Sequence, residues 1–487
     1  MPWENEQREK KRSPEKRLSI VGIGPGAQEM RTIRAEEAIR AADFVVGYRP
    51  YLNLIGDLLP GKEVVSSGMR KEVDRAKAAV DLSQEGSVAL VSSGDPNVYG
   101  MAGLGLELSP EPGIVEIVPG VTSFTSAACC AALTFRESLA VISLSDLLTP
   151  WREIEGRLRC AAEHEMPVAI YNPRSKRRDW QLIRALELLG ERDVLVARDV
   201  SREDEEIFWT SSGRLMNDEA LRERIDMTTV LILCGKGVFR GEPYLRGNPA
   251  RMVGLVQDPR VNVVGIGPGD RKFLTREAER MLHEPGKIFG AERYLNEIGD
   301  LSPGEKITNT EPCSERMAAR FREARATAEG GGNAAILTGG DPSVFSSAWK
   351  VHELALGECP VRCAPGVSAF SSVAARAGAP LVNDFALLSK PNDSVAQLAE
   401  SGFGIVIYNA KGVEISNLLR EVDPERPCVL ARDVTRDGEM LIVLNAADLL
   451  KARPSGFRFT LLIASAHSFI REGKIIARRG YESKYRY

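Results

Sequence analysis

The feature that most constrains this chain is an internal duplication. LSIVGIGPGAQEMRT, Leu18 to Thr32, recurs as VNVVGIGPGDRKFLT, Val261 to Thr275, and LVSSGDPNVYGMA, Leu90 to Ala102, recurs as ILTGGDPSVFSSA, Ile336 to Ala348. IVPGVTSFTSAA, Ile117 to Ala128, matches CAPGVSAFSSVA, Cys363 to Ala374. AIYNP, Ala169 to Pro173, matches VIYNA, Val406 to Ala410, and ARDVSRE, Ala197 to Glu203, matches ARDVTRD, Ala431 to Asp437. Chance likeness between two strand-helix units would give one such block. Here every block returns in the same order, with the offset drifting from 243 at Gly24 to 234 at Asp199.

A chain of 487 residues is too long for one ordinary domain. Within each copy, apolar runs such as SVALVSS, PVAIYN, DVLVARDV and TTVLILCG alternate with helix-periodic stretches such as RAEEAIRAA and WQLIRALELLGE. That alternation predicts an α/β fold with a mostly parallel sheet under covering helices. The turn-rich run from Phe239 to Met252 breaks both patterns. The expected division is a charged tail over 1–17, a first copy over 18–238, a linker over 239–260 and a second copy over 261–487.

Hydrophobic content of 43% with 27% charged residues is globular composition, and a net charge of −3 gives no general reason to bind nucleic acid or an acidic membrane. The first seventeen residues lack the apolar core of a secretory signal, and the longest apolar runs are strand-length. A cytoplasmic protein is expected. The eight cysteines form no CxxC set, and the four histidines no HxxxH or HExxH, so no protein-held metal is expected.

Both GIGPG turns follow an apolar strand and precede a helix, where glycine tolerates positive φ and lets a ligand approach the backbone. A dinucleotide fingerprint is an alternative reading of GIGPGA. Against it, Asp270 stands where the second copy needs a small residue, and Asp43 precedes its apolar run rather than closing it. The SSGDPNVYG and TGGDPSVFS loops fall at the carboxyl end of a buried strand, where open α/β sheets bind ligands. Taken singly, each is equally readable as a turn whose Asp caps the next helix.

Taken jointly, the GxGPG turn, the GDPxV(Y/F) loop and the PGV(T/S) segment resemble the tetrapyrrole (corrin/porphyrin) methylases, from about Leu18 to about Ala464. That resemblance implies, for each copy, two α/β subdomains with S-adenosyl-methionine held in the cleft between them. Within the family the first copy is similar to the carbon-17 branch of cobalamin synthesis, in GDPNVYGMAG, AVISLSDLLTPW and YNPRSKRR. It departs where that branch has GAPLx(H/N)DF, reading CAALTFRESL, and in GPGAQEM. The second copy is its complement. It keeps GPGD and GAPLVNDF but reads ALLSKPNDS and YNAKG. It is either a second methylase or a copy kept for structure.

The resemblance implies cofactor contacts at Pro25, Ser93, Gly94, Asp95, Val98, Thr122, Ser123, Tyr171, Val200 and Thr229. The matching set in the second copy is Pro268, Gly339, Gly340, Asp341, Val344, Ser368, Ala369, Tyr408, Val434 and Leu461. Methyl transfer from a sulfonium needs alignment and exclusion of water more than a protein nucleophile. The ring contraction of the carbon-17 branch also needs proton transfer, for which Asp95, Ser143, Ser145 and Asp146 are the candidates. An alternative reading of SLSD is a cap for a helix starting near Thr149. The substrate's carboxylates call for cations, and Arg174, Lys176, Arg177 and Arg178 form the densest cluster, unless they are a solvated helix start. Cobalt enters only if the substrate carries it. The implied partner is the tetrapyrrole itself, with the fused copies forming an internal pseudo-dimer or the chain a homodimer. A tetrapyrrole-binding scaffold, or a methylase acting at another ring position, is the competing reading.

Overall fold

The computed structural model describes residues 17–175, 178–241, 261–284 and 286–484. Residues 1–16 of the expected tail and 242–260 of the expected linker lie outside the described residues, as do Lys176 and Arg177.

Each copy begins with a five-stranded parallel sheet. In the first the order is Glu63–Ser67, Phe44–Tyr48, Val88–Ser92, Leu18–Gly22, Glu116–Val118. In the second it is Glu305–Ile307, Lys287–Phe289, Ala334–Thr338, Val261–Gly265, Val361–Ala364, the same order. The central strands Leu18–Gly22 and Val88–Ser92 are buried throughout, as strands covered on both faces must be. Thr32 and Thr275 cap the first helix of each copy, each hydroxyl accepting from the amide three residues on at 3.1 Å.

The second halves do not form two sheets. They join into one of ten strands: Glu206–Ser211, Asp193–Arg198, Thr229–Leu233, Val168–Tyr171 and Ser138–Ser143, then Phe385–Leu388, Gly404–Ala410, Phe459–Ile463, Pro427–Arg432 and Met440–Asn445. Here the expectation of a mostly parallel sheet fails. Only Ser138–Ser143 with Val168–Tyr171, and Phe385–Leu388 with Gly404–Ala410, run parallel. The ARDVSRE and ARDVTRD blocks turn the chain straight back, and a strand that returns through a short turn must pair antiparallel.

At the seam between copies, Val141 faces Phe385 and Leu139 faces Leu387 in antiparallel register. Alternation of side chains sends Ala140, Ile142, Ala386 and Leu388 into one buried cluster and Leu139, Val141, Phe385 and Leu387 into another. Both clusters draw residues from both copies. The pairing removes an edge from each half-sheet.

Other contacts cross the same seam. Ile33 N donates to Leu274 O at 3.1 Å and Arg276 N to Arg31 O at 2.9 Å, while the Arg276 guanidinium meets the buried Glu36 carboxylate at 2.7 Å. The strand Val238–Arg240 runs on beyond position 238 and pairs with Leu133–Phe135. A hairpin near the end of the second copy, Ser468–Arg471 with Lys474–Ala477, packs on the first. Arg471 Nη2 donates to Leu106 O at 2.7 Å and Glu107 O at 3.0 Å, and Ile476 joins the core around Leu104 and Val115. Among the described residues no helix is long and apolar enough to cross a membrane.

Candidate functional site

The repeated blocks, far apart in sequence, meet in space. In the first copy Gly24 and Gly94 bridge reciprocally, Gly94 N to Gly24 O at 2.8 Å and Gly24 N to Gly94 O at 3.2 Å. Asp95 Oδ2 accepts from Gly120 N at 3.1 Å, which ties the GDP loop to the PGV segment. Ser123 Oγ donates to the Tyr171 hydroxyl at 3.0 Å and Phe124 N to the same oxygen at 3.3 Å, bringing in the YN pair. Arg202 Nε donates to Pro25 O at 3.1 Å, which adds the ARDVSRE turn. Val98 and Val200 are buried in the same cluster, with Tyr171 packed against it. Thr122 caps the helix Ser123–Cys130, and Thr229 is buried at the start of its strand.

Glycine is required where these segments cross. A Cβ on Gly120 would run into Gly94 O, and one on Gly26 into Arg202 and Ser201. A Cβ added to Gly94, at φ +65°, would meet only Val121 O at 3.9 Å, so that side of the loop leaves room for a ligand. Its chain neighbour Ser93, and Ser123 at the start of the helix Ser123–Cys130, are both half-buried and uncharged. A small, neutral cradle of this kind fits a cationic sulfonium with a neutral adenosine.

The second copy repeats the arrangement. Gly267 and Gly340 bridge, Asp341 Oδ2 accepts from Gly366 N at 3.1 Å, Phe370 N donates to the Tyr408 hydroxyl at 2.9 Å, and Asp270 N donates to Thr435 Oγ1 at 3.3 Å. Pro268, Val344, Ser368, Val434 and Leu461 are buried, while Gly339, Gly340 and Ala369 are half-buried. Positive φ recurs at matched positions: Asn172 with Asn409, Asp199 with Asp433, Ser201 with Thr435. A β-branched Thr held at φ 67° has a real steric cost, so the turn is kept against local preference.

Burial sets the acid-base character of these groups. It pushes the Asp95 carboxyl up to about 6, against the stabilising amides of Asn97 and Gly120, and Asp341 up to about 7. It also pushes the Tyr171 phenol up to about 12 and Tyr408 further in the same direction. Asp95 accepts from Asn97 N at 2.7 Å and Asn97 Nδ2 at 2.8 Å besides Gly120, so its carboxylate is committed to bracing the loop. That commitment separates it from the other acid-base candidates.

Ser143, Ser145 and Asp146 stand apart from the helix cap considered above. The helix Trp151–Glu163 starts after Pro150 with no side-chain cap. Ser143 Oγ instead accepts from Asn172 Nδ2 at 2.9 Å and from Ser145 N at 3.3 Å, joining the SLSD loop to the YNP segment. Asp146, partly exposed, accepts from Gln181 Nε2 at 2.9 Å and lies 3.9 Å from Arg178 Nη1. Burial lowers the Arg178 pKa, and Asp146 works against that shift. Arg174 is bound to Asp179 at 2.6 Å and to Arg222 O at 3.1 Å, which uses it within its own loop. Of the expected basic cluster, Arg178 alone among the described residues touches the SLSD loop.

Sequence reasoning singled out neither Tyr99 nor Asp384. The Tyr99 hydroxyl lies 2.8 Å from Asp384 Oδ1 and 3.0 Å from Val141 O, and its ring is 5.2 Å from that of Tyr171. Asp384 also accepts from Ser143 N at 2.9 Å and Arg157 Nη1 at 3.0 Å. Comparing GDPNVY with GDPSVF would have flagged Tyr99, because the hydroxyl is lost in the second copy. Nothing in the sequence announces that Asp384 faces the other copy.

Two α/β halves per copy, with a glycine-lined cradle where the carboxyl ends of the parallel strands meet the second half, define a tandem of ligand-binding α/β modules. A profile of the Tetrapyrrole (Corrin/Porphyrin) Methylases matches residues 17–215 and again 260–450, and the chain belongs to that family. It is 40% identical over 231 residues to a probable cobalt-factor III C(17)-methyltransferase of Salmonella typhimurium, a match covering 46% of this chain and 94% of that protein. To the cobalamin biosynthesis protein CbiHC of Archaeoglobus fulgidus it is 39% identical over 224 residues, covering 45% of this chain and about half, 49%, of that protein. Among solved structures, the methyltransferase CobJ matches with 34% identity and a TM-score of 0.41, over 46% of this chain and 95% of that one.

Proposed function

We propose that the chain transfers a methyl group from S-adenosyl-methionine to carbon 17 of a precorrin or cobalt-precorrin, with contraction of the ring, and that the first copy carries the chemistry. The observation that supports this most is that the first copy keeps both the glycine cradle and, beside it, the Tyr99, Ser143, Asn172 and Asp146 network. The names of the Salmonella and Archaeoglobus relatives point the same way. In this reading the modules span 18–238 and 261–487, pair within one chain as a pseudo-dimer, and work in the cytoplasm.

The cofactor supplies an electrophilic methyl group, and the attacking ring carbon belongs to the substrate. What remains for the chain is alignment and exclusion of water. Gly94, Ser93 and Ser123 hold the donor side. Tyr171 fixes the start of the helix Ser123–Cys130 through Ser123 and Phe124. Asp146, with Ser143 and Ser145, moves protons as an acetate side chain closes on the ring. Arg178 offers a cation to a substrate carboxylate.

The test is a titration of the full chain with S-adenosyl-methionine, followed by mass analysis of the product formed from a cobalt-free and a cobalt-bearing tetrapyrrole. The second cradle retains its bridging glycines, and a Cβ on Gly340 would meet nothing closer than Ala369 N at 3.7 Å, so two equivalents of S-adenosyl-methionine are expected per chain. A single equivalent would assign the second copy a structural role, and no binding would sink the methylase reading in favour of a tetrapyrrole scaffold. Asp146→Asn is expected to bind the cofactor normally yet lose ring-contracted product by about a hundredfold. Unchanged product would remove Asp146 from the mechanism.

A further inference from the structure

The two copies have lost different pieces, and the fold brings together the pieces that remain. The offset of 246 residues that relates Gly94 to Gly340 and Ala128 to Ala374 also relates Leu139 to Phe385, and in the antiparallel seam each of these two faces the other copy's counterpart two residues along. By that relation Asp384, one residue before Phe385, corresponds to Ser138. By the GDPxV(Y/F) repeat, Tyr99 corresponds to Phe345. The carboxylate and the hydroxyl that meet on the first copy's side are therefore both missing from the mirror-image position, where Ser138 and Phe345 stand.

Asp384 is 5% exposed, and the three groups that hydrogen-bond to its carboxylate all belong to the first copy: the Tyr99 hydroxyl, Ser143 N and Arg157 Nη1. These contacts fix the Tyr99 ring against Tyr171 and pin the strand end from which Ser143 Oγ reaches Asn172. Tyr99 is thereby kept as a phenol, since burial and the adjoining carboxylate both raise its pKa.

A second stretch of the second copy reaches the same place. The Arg479 guanidinium lies 5.2 Å from the centre of the Tyr99 ring, Gly480 lies against Leu148 O, and Lys484 Nζ donates to Leu147 O. The SLSDLLTPW loop of the first copy is thus covered by residues from the end of the second.

We propose that Asp384 of the second copy is a positioning residue of the first copy's site, holding Tyr99 and Ser143 in place, so that one composite site is built from both copies. The loss of GAPLx(H/N)DF from the first copy and of SLSD and YNPR from the second are then the two sides of one division of labour. The inference rests on the reading of the first copy as the methylating module.

A seam carboxylate with a purely structural role would predict something different, and kinetics on the full chain separate the two. Asp384→Asn is expected to leave the affinity for S-adenosyl-methionine unchanged while kcat falls about a hundredfold, the cost of a misplaced reacting group. Tyr99→Phe keeps the other two bonds to Asp384 and is expected to lower kcat about tenfold. The double variant should fall no further than Asp384→Asn alone, because the two act through one contact. Asp384→Glu should recover part of the lost kcat. A kcat within twofold of wild type in Asp384→Asn, or independent losses that multiply in the double variant, overturns the proposal. Should Asp384→Asn fail to fold, an unchanged kcat in Tyr99→Phe overturns it equally. A wild-type chain that methylates no tetrapyrrole overturns the underlying reading, and this inference with it. An active wild type with an equally active Asp384→Asn overturns this inference alone.

Discussion

At the scale of single residues, the site is held by groups that cannot be exchanged for their near neighbours. Gly120 lies where a methyl group would overlap the carbonyl of Gly94, so Gly120→Ala must push the GDP loop away from the PGV segment. A loss of about 2 kcal/mol in unfolding free energy is expected, measured by denaturant titration, together with weaker binding of S-adenosyl-methionine. Asp95 and Asp341 make a second prediction. Their folded pKa values, about 6 and about 7, are raised by burial above the ordinary carboxylate value of 3.8. The folded chain therefore binds more protons than the unfolded chain between about pH 4 and pH 7, and stability contributed by these groups falls as pH rises through that window. In Asp95→Asn and Asp341→Asn, the decline in melting temperature of the ligand-free protein from pH 5 to pH 8 should be smaller than in wild type. An unchanged slope would mean that neither carboxyl titrates there.

At the scale of elements, the hairpin Ser468–Arg471 with Lys474–Ala477 closes the first copy's N-terminal subdomain although it belongs to the second copy. Ile475 and Ile476 are 1% and 0% exposed, in clusters that contain residues of the first copy. Ending the chain at Ala466 would return both side chains' partners to water, at a cost of about 5 kcal/mol from the apolar area alone. Denaturant titration of the truncated chain measures it, and a loss below about 1 kcal/mol would mean the hairpin is only laid on the surface. The parallel subdomains were legible because each buried strand is a continuous apolar run followed by a glycine turn. The antiparallel pairing of the second halves was not, since runs such as DVLVARDV and TTVLILCG look alike whichever way they pair. Direction is decided by the length of the connection and by what lies alongside.

At the scale of the whole molecule, the ten-stranded sheet makes the copies parts of one folding unit. Its two buried faces draw on both copies, and Arg276 and Glu36 link the N-terminal subdomains across the same seam. A single cooperative unfolding transition is expected by calorimetry, with Arg276→Ala lowering stability by about 2 kcal/mol because it removes a charged hydrogen bond from the buried Glu36. Two well-separated transitions would show instead that the copies fold independently. The sequence by itself determined the duplication, the family and the glycines, because these depend on local order and on backbone conformations that only certain residues adopt. It also marked SLSD and YNPRS as a unit in the first copy, though not the hydrogen bond between Ser143 and Asn172. What only the tertiary structure decided is which carboxylate serves which hydroxyl. Asp384 and Tyr99 stand in different copies, and a contact across a seam depends on the relative placement of two surfaces, a quantity that no local pattern of residues records.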